Sequence, residues 1–152
     1  MSVKKILFVC TGNTCRSPMA EIILKNKIKS SGLKNYRVSS AGISAIEGDK
    51  ISKNSRLALK QLGYKVGTFK SKSLEMKTIL SSDIIICMTK NHKSQLANFP
   101  HIYTISELTG LGDIIDPYGG DLSIYVKTSH QLEDACNIIL TKILEDCLIN
   151  NN

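Results

Sequence analysis

Val9–Pro18, with the sequence VCTGNTCRSP, joins the apolar run Ile6–Val9 to a helical pattern that begins at Pro18. The apolar run predicts a buried parallel strand, and the segment after it contains glycine and asparagine, which are typical of a tight loop. Backbone N–H groups of a short strand-to-helix loop, together with the helix N-terminus, form a site for an anion. The segment therefore predicts an α/β fold with an oxyanion site after its first strand.

Cys10 and Arg16 are the two residues of this loop that suggest chemistry. The guanidinium of Arg16 can bind two phosphate oxygens at once. The positive field of the loop favours the thiolate of Cys10, which is the nucleophilic form of cysteine. A cysteine after a buried strand is otherwise usually an inert core residue. The spacing Cys-x5-Arg-Ser, between a strand and a helix, instead indicates phosphoryl transfer through a cysteinyl-phosphate intermediate.

The loop differs from two other phosphate-binding patterns that also join a strand to a helix. It lacks the Gly-x-x-x-x-Gly-Lys-Ser/Thr pattern of an NTPase and the Gly-x-Gly-x-x-Gly pattern of a dinucleotide site. The phosphate-binding residues that we predict therefore follow the cysteine directly, and they are Thr11, Gly12, Asn13, Thr14, Cys15 and Arg16.

Strand and helix patterns alternate along the rest of the chain. Strands are predicted at 4–9, 36–39, 83–88 and 102–104; helices at 18–31, 51–62, within 70–82, at 90–98 and at 122–148; and a loop at 106–120. This alternation predicts a three-layer α/β/α fold with a central four-stranded parallel sheet, flavodoxin-like or Rossmann-like, and the phosphate-binding loop after strand 1. With no internal repeat or linker, residues 1–152 are predicted to form one domain.

The ends of the predicted strands place the candidate residues together. In parallel sheets, ligands bind at the carboxyl ends of the strands. The loops at 10–17, 40–48, 88–91 and 106–120 all follow such ends. Cys10, Ser40 and Asp116 are therefore expected on one side of the molecule.

Length, composition and charge limit the classes of protein to consider. The chain has 152 residues, a formal net charge of +7 and 42% hydrophobic residues, which is ordinary for a soluble globular protein. No apolar run approaches the roughly 20 residues that span a bilayer, and the N-terminal run is too short for a signal peptide. The lysines are scattered, without a dense basic stripe. A cytoplasmic location is expected, with no nucleic acid and no membrane as partner.

The cysteines and histidines suggest no metal site. The cysteine count is five, an odd number without framework spacing, which argues against a disulfide-stapled secreted fold. No Cys/His cluster has the spacing of metal ligands, so neither a metal nor a cofactor is predicted. Structural roles are expected for Cys87, Cys136 and Cys147. Surface or packing roles are expected for His92, His101 and His130.

The loop Cys10–Ser17, the start of the chain and the later Asp116-Pro117-Tyr118 resemble the low-molecular-weight protein tyrosine phosphatase family. The resemblance covers nearly the whole chain. Within the family, the loop looks most like the bacterial protein arginine phosphatase branch, because tyrosine-specific members usually carry a bulky aliphatic residue where this sequence has Thr14. The resemblance implies phosphorylated proteins as substrates and inorganic phosphate as product. A monomer is expected.

Three polar residues are expected to support the nucleophile. The resemblance implies that Ser17 donates its hydroxyl to the thiolate of Cys10, although Ser17 before Pro18 also suits a helix N-cap. Asn13 is suited to a positive φ in the loop. The resemblance also implies a hydrogen bond between Asn13 and Ser40, which would otherwise be an ordinary turn residue.

Asp116 is the candidate general acid. An aspartate before proline is often only a turn former. Asp116, however, lies on the predicted ligand edge, and Asp-Pro-Tyr matches the acid loop of the family. It would protonate the leaving group, then activate water, and could bind the guanidinium cation of a phosphoarginine. Asp113 is a nearby competitor without the motif match.

Two positions bear on specificity, and a third bears on redox control. Tyr118 is expected to form a wall of the substrate groove, and Gly119 stands where tyrosine-specific relatives often have a second aromatic residue. Thr14 is smaller and more polar than an aliphatic residue, which favours phosphoarginine, or else it is a neutral variant. Cys15 is either a plain small residue or the partner of Cys10 in a protective reversible disulfide.

The main prediction is therefore a metal-independent phosphatase acting on phosphoarginine in proteins, with a tyrosine phosphatase as the alternative. Arsenate reductases use a related cysteine loop but need further redox cysteines, whereas Cys87 stands alone in its predicted strand. A phosphoprotein-binding module without activity would be expected to lack Cys10 or Asp116, and both are present.

Overall fold

Strand β1 (Lys4–Cys10) lies inside the sheet of the computed structural model, which describes residues 2–96 and 98–149. Its apolar run is buried on both faces of the sheet, as expected for a central parallel strand. Ile6 and Phe8 contact one hydrophobic cluster, while Leu7 and Val9 contact a second cluster on the opposite face. Both faces of β1 must therefore be covered by helices.

The sheet is parallel throughout and has the strand order β2-β1-β3-β4. Its other strands are β2 (Tyr36–Gly42), β3 (Ile84–Cys87) and β4 (Ile102–Thr104). The helices are α1 (Arg16–Ser30), α2 (Lys53–Gln61), α3 (Met76–Ser81), α4 (Lys90–Ser94), α5 (Ile105–Thr109) and α6 (Leu122–Leu144).

Helices cover both faces of the sheet. The larger cluster contains buried residues of α1, α2, α5 and α6, including Met19, Leu59, Ile105 and Leu132. The smaller cluster contains Ile79 of α3 on the other face. The prediction of a three-layer fold with a four-stranded parallel sheet is confirmed. In the part of the chain that the structure describes, no helix is long and apolar enough to cross a membrane.

Several predicted boundaries are wrong. Helix α1 begins at Arg16, so Pro18 occupies its third position, where the missing N–H has no helical partner in any case. Strand β2 continues to Gly42 because that residue pairs with Cys10 and bridges Ser73. Helices α4 and α6 end earlier than predicted. Of the predicted elements and domain, positions 1, 97 and 150–152 lie outside the described residues.

Helix α5 was missed by the prediction of a loop at 106–120. Thr104 and Glu107 form a capping box, in which the Thr104 hydroxyl accepts from the Glu107 amide and the Glu107 carboxylate accepts from the Thr104 amide. The Thr-x-x-Glu pattern is present in the sequence. The glycines that follow it led to the incorrect assignment.

Gly42 brings the end of β2 close to the loop after β1. A Cβ atom on Gly42 would lie 2.5 Å from the carbonyl oxygen of Thr11 and 2.9 Å from the amide nitrogen of Asn13. Real Cβ atoms do not approach backbone atoms this closely, so any side chain here would push the two segments apart. The glycine therefore permits the contact between strand and loop.

We expect Gly42→Ala to destabilise the fold by roughly 1–3 kcal/mol, because the added methyl group overlaps backbone atoms that have no room to move. Urea unfolding measures the change. Gly67→Ala is the matched control, since a Cβ atom there meets nothing within 4 Å. Equal stability of the two variants would contradict the tight contact at Gly42.

Candidate active site

The loop from Cys10 to Arg16 has its carbonyl groups directed towards the surrounding scaffold. The amides of Ile43 and Ser44 donate to the carbonyls of Cys10 and Thr11, each at 2.9 Å. Further along the loop, the carbonyl of Asn13 accepts from the Ser71 hydroxyl at 2.6 Å and that of Thr14 from the Ser52 amide at 2.9 Å. Since α1 begins at Arg16, the amides of its first turn have no partners within the helix. Together, these features leave amide groups available to an anion.

Asn13 holds the middle of the loop. Its φ of 54° is in the left-handed region, which asparagine tolerates better than most residues. Its side-chain oxygen accepts from the Lys72 amide at 2.9 Å, which fixes the orientation of the amide group. Its nitrogen donates to the hydroxyls of Ser17 at 2.8 Å and Ser40 at 2.9 Å. The structure thus contains the contact between Asn13 and Ser40 that the resemblance implied.

Cys10 and Ser17 are in direct contact. The Cys10 sulfur lies 2.7 Å from the Ser17 hydroxyl oxygen. Because Ser17 accepts from Asn13, its own hydrogen is available to the sulfur. Ser17 is the second residue of α1, and the N-cap position belongs to Cys15, so the N-cap alternative for Ser17 is wrong.

The network continues away from Cys10 to a buried carboxylate. The Ser40 hydroxyl donates to Glu21 at 2.8 Å, and Glu21 also accepts from the ammonium of Lys25 at 2.8 Å. A carboxylate only accepts hydrogen bonds, so it fixes the direction of the Ser40 hydroxyl. Glu21 was not among the residues that the sequence pattern singled out. Its position in this network depends on contacts between α1 and β2.

Arg16 joins the nucleophile loop to the segment that carries Asp116. Its side chain is only 6% exposed, and its Nη1 donates to the carbonyl of Ile114 at 3.0 Å. Its Nη2 lies 3.7 Å from the carboxylate of Asp116. The guanidinium is therefore held between the two loops that the sequence analysis singled out.

The side chains around Cys10 form an open cavity of about 270 Å³. Its lining residues are Cys10, Thr11, Gly12, Thr14, Cys15, Arg16, Asp116 and Tyr118. The Asp116 carboxylate accepts from the Tyr118 amide at 3.1 Å, which holds the turn that contains Pro117. The Tyr118 side chain is 82% exposed. The cavity therefore brings the buried Cys10 thiol and the exposed Asp116 carboxylate together in one lining.

Asp113 lies outside this cavity lining. Its Oδ2 accepts from the amide of Lys90, the first residue of α4, at 3.1 Å. Its Oδ1 is buried and has no hydrogen-bond partner among the described residues. Asp113 thus connects the acid loop to α4, whereas Asp116 faces the cavity.

Cys15 packs beneath the loop. Its sulfur lies 3.5 Å from the hydroxyl of Tyr125 and 3.6 Å from the hydroxyls of Ser52 and Thr14. Burial, followed by the contact with Cys15, raises the pKa of Tyr125 to about 12. Tyr125 therefore remains a neutral phenol beside the sulfur at neutral pH.

The other buried cysteines are poor nucleophiles. Burial raises the pKa of the Cys87 thiol to about 12, and burial also raises the pKa of Cys136. Both thiols are therefore protonated at neutral pH. Within residues 2–96 and 98–149, no group of three or more His, Cys, Asp or Glu side chains is arranged to hold a metal ion.

His92 is the functional candidate that the sequence analysis missed. It is only 3% exposed, and its Nε2 lies 2.9 Å from the Thr11 hydroxyl oxygen. Burial, followed by the positive charge of Arg16, lowers the pKa of His92 from 6.5 to about 4, while Asp116 and Asp113 act in the opposite direction. A lone histidine in a short polar segment gave no signal for this placement.

Comparison with known proteins identifies close relatives. The model of the family described as low molecular weight phosphotyrosine protein phosphatase matches residues 5–148. The protein-arginine-phosphatase of Geobacillus stearothermophilus is 36% identical over 146 residues, with 91% of this chain and 95% of the relative covered. The low molecular weight protein-tyrosine-phosphatase PtpB of Staphylococcus haemolyticus is 39% identical over 133 residues, with 84% and 91% covered.

A solved structure has the same fold. It is a mutant of the YwlE arginine phosphatase with a phosphorylated active site serine, 34% identical in sequence. The TM-score is 0.87, and the alignment covers 93% of this chain and 97% of that chain.

The low pKa of His92 predicts a pH-dependent contribution to stability. Between pH 6.5 and about 4 the unfolded chain binds a proton at this residue and the folded chain does not. Stability should therefore fall with decreasing pH in this window, by up to about 1.4 kcal/mol per pH unit from His92. Urea unfolding from pH 7 to 5 should show a shallower decline for His92→Gln.

The exposed His130 on α6 provides the control. His130→Gln should keep the pH dependence of the unmodified protein. If His92→Gln and the unmodified protein lose stability in parallel, His92 does not have the depressed pKa.

Proposed function

The chain belongs to the low molecular weight phosphotyrosine protein phosphatase family, and from this premise we propose that it hydrolyses phosphoarginine in proteins through a cysteinyl-phosphate intermediate. The contact that carries the proposal is the one between the Cys10 sulfur and the Ser17 hydroxyl, 2.7 Å long, at the base of the cavity that Asp116 also lines. Cys10 and Asp116 line the same small cavity, and this two-step reaction requires a thiolate nucleophile together with a carboxyl group that first gives and then takes a proton.

In the first step, the loop amides and Arg16 bind the phosphoryl oxygens. The Cys10 thiolate attacks phosphorus, so an S–P bond forms while the P–N bond to the arginine side chain breaks. Asp116 delivers its proton to the leaving nitrogen. The products of this step are the free arginine side chain and phosphocysteine.

In the second step, Asp116 is a carboxylate and takes a proton from water. The water oxygen attacks phosphorus, the S–P bond breaks, and inorganic phosphate leaves with the thiolate regenerated. Ser17 stabilises the departing thiolate by donating its hydrogen. The phosphorylated active site serine of the YwlE mutant supports a phosphoenzyme in a protein of the same fold.

The proposed choice of phosphoarginine depends on the cavity walls. Thr14 presents a small polar side chain to the cavity, and Asp116 presents an acceptor that suits the N–H groups of a guanidinium. Tyr118 is followed by Gly119, so the wall offers less aromatic surface for a phenyl ring. A named protein-arginine-phosphatase is among the relatives of similar sequence.

Phosphotyrosine hydrolysis is the second candidate. The PtpB relative, which is named a protein-tyrosine-phosphatase, is 39% identical over 133 residues, so overall similarity does not favour the arginine enzymes. Cys10, Arg16 and Asp116 would have the same roles in that reaction. Only the leaving group would differ, a phenol oxygen replacing the guanidinium nitrogen.

The proposal also covers redox control, the cellular compartment and the oligomeric state. We propose that Cys15, which lies in the same loop, forms a reversible disulfide with Cys10 that protects the nucleophile from over-oxidation. The odd number of cysteines, without the spacing of a disulfide framework, suits a reducing compartment such as the cytoplasm. We propose that the protein acts there as a monomer.

Cys10→Ser should abolish turnover of para-nitrophenyl phosphate while inorganic phosphate still binds, because the loop amides and Arg16 remain in place. Activity assays and calorimetric titration with phosphate measure the two effects. Cys147→Ser, at a partly exposed position after α6, is the control and should turn over normally. Turnover by the Cys10 variant near the normal rate would remove Cys10 from the mechanism.

Thr14→Ile should shift preference towards phosphotyrosine, because a bulky apolar side chain fills the space beside the polar leaving group. We expect the ratio of kcat/KM for matched phosphoarginine and phosphotyrosine peptides to fall by at least about tenfold, the effect of roughly 1.4 kcal/mol of differential binding. Thr14→Ser is the matched control that retains the hydroxyl. An unchanged ratio would make Thr14 neutral, and a preference of the unmodified protein for phosphotyrosine would favour the second candidate.

A further inference from the structure

We propose that His92 is a positioning residue of the phosphatase reaction: its imidazole fixes the Thr11 side chain, so that the Thr11 hydroxyl donates to a phosphoryl oxygen beside Cys10. The inference rests on the proposed phosphatase function but not on the choice between arginine and tyrosine. His92 lies on α4, which contributes no residue to the cavity lining.

The imidazole is held from both sides. Its Nδ1 lies 3.0 Å from the Thr89 hydroxyl oxygen, and its Nε2 lies 2.9 Å from that of Thr11. The backbone amide of His92 also donates to the Thr89 hydroxyl, which caps α4. The two side-chain contacts hold the buried ring at both of its nitrogens, and the backbone contact holds the residue that carries it.

The proposal assigns one of the two arrangements of hydrogens that these contacts allow. A neutral imidazole has one N–H and one bare nitrogen. In this arrangement the Thr89 oxygen accepts from the His92 amide, and the Thr89 hydroxyl donates its hydrogen to the bare Nδ1. Nε2–H then donates to the Thr11 oxygen, which leaves the hydroxyl hydrogen of Thr11 free for another acceptor.

Thr11 is well placed to use that hydrogen. It follows Cys10 directly, is exposed, and lines the cavity together with Arg16. Its carbonyl is held by the Ser44 amide at 2.9 Å, so its backbone and its side chain each have a fixed partner. Phosphoryl oxygens are acceptors, and a pre-oriented donor stabilises the charge on them without reorganisation.

The segment that carries His92 also contacts the acid loop. The Ile114 amide donates to the Met88 carbonyl at 3.0 Å, and the Lys90 amide donates to Asp113 at 3.1 Å. The start of α4 thus contacts the nucleophile loop on one side and the acid loop on the other. His92 is the side chain of this segment that reaches Thr11.

A packing role alone would make different predictions from a positioning role. If His92 only filled space, its replacement would lower stability without a specific effect on phosphate. If it acts through Thr11, removing either partner should have the same effect on phosphate binding. Removing both should then add nothing further.

The experiment is a double-mutant cycle with His92→Leu and Thr11→Val, which remove the hydrogen-bonding groups at similar size. The readouts are the inhibition constant of inorganic phosphate and kcat/KM for para-nitrophenyl phosphate. We expect each single variant to weaken phosphate binding by about five- to tenfold, the effect of one hydrogen bond, and the double variant to be no weaker. His92→Gln, whose amide nitrogen can replace Nε2–H, should restore most of the binding.

His130→Leu is the matched control on the exposed face of α6 and should bind phosphate normally. Because Thr11 is exposed, Thr11→Val tests the inference even if His92→Leu does not fold. Additive losses, or unchanged phosphate inhibition in variants that turn over substrate, would overturn it. No turnover by the unmodified protein would instead overturn the proposed function.

Nitrogen-15 NMR of the imidazole provides a direct test of the hydrogen arrangement at neutral pH. A protonated Nε2 and a bare Nδ1 are expected. Protonation at Nδ1 would overturn the inference, because the Thr11 hydroxyl hydrogen would then be used by His92.

Discussion

The outward direction of the loop carbonyls is the constraint on which the rest of the site depends. A loop can bind an anion with its backbone only if the carbonyl dipoles point away from that anion. Here the carbonyls of Cys10, Thr11, Asn13 and Thr14 accept from donors on the surrounding scaffold. Asn13 adopts the left-handed backbone conformation that this arrangement needs. Its side-chain nitrogen also donates to the hydroxyls of Ser17 and Ser40. The anion site is therefore formed by the scaffold as much as by the loop.

Arg16 connects this preorganised loop to the segment that carries Asp116. Its buried guanidinium donates to the Ile114 carbonyl and lies beside the Asp116 carboxylate. In the proposed reaction, this one side chain would bind the phosphoryl group while it also contacts the segment that carries Asp116. A substitution that moves either the Cys10–Arg16 loop or the segment of Ile114 and Asp116 therefore changes the contacts of the Arg16 guanidinium.

The sequence was sufficient to predict the order of layers, the parallel sheet and the edge at which the site lies. The Cys-x5-Arg-Ser spacing and the apolar strand are local signals, and local signals determine these features. The positions of His92 and Glu21 could not be predicted in this way, because their partners are far away in sequence. Thr11 and His92 are 81 residues apart, and Glu21 reaches Ser40 only because α1 packs on β2. Helix α5 is a different case, since its Thr-x-x-Glu signal is local and present in the sequence, directly before a glycine-rich segment that is typical of a loop.

The long separation between the loop and its supports has a consequence for how the protein folds. Contacts of Asn13 with Ser71 and Lys72 span 58 and 59 residues, so the loop gains its shape only after β2 and the segment beyond α2 have docked. Closing such long loops is slow compared with forming helices. During refolding, helical structure should therefore return before activity does. Catalytic competence should therefore be among the last properties that the chain acquires during folding. A partly folded chain in which β1 and α1 have formed, but in which Ser71 and Lys72 have not yet docked on Asn13, should be inactive.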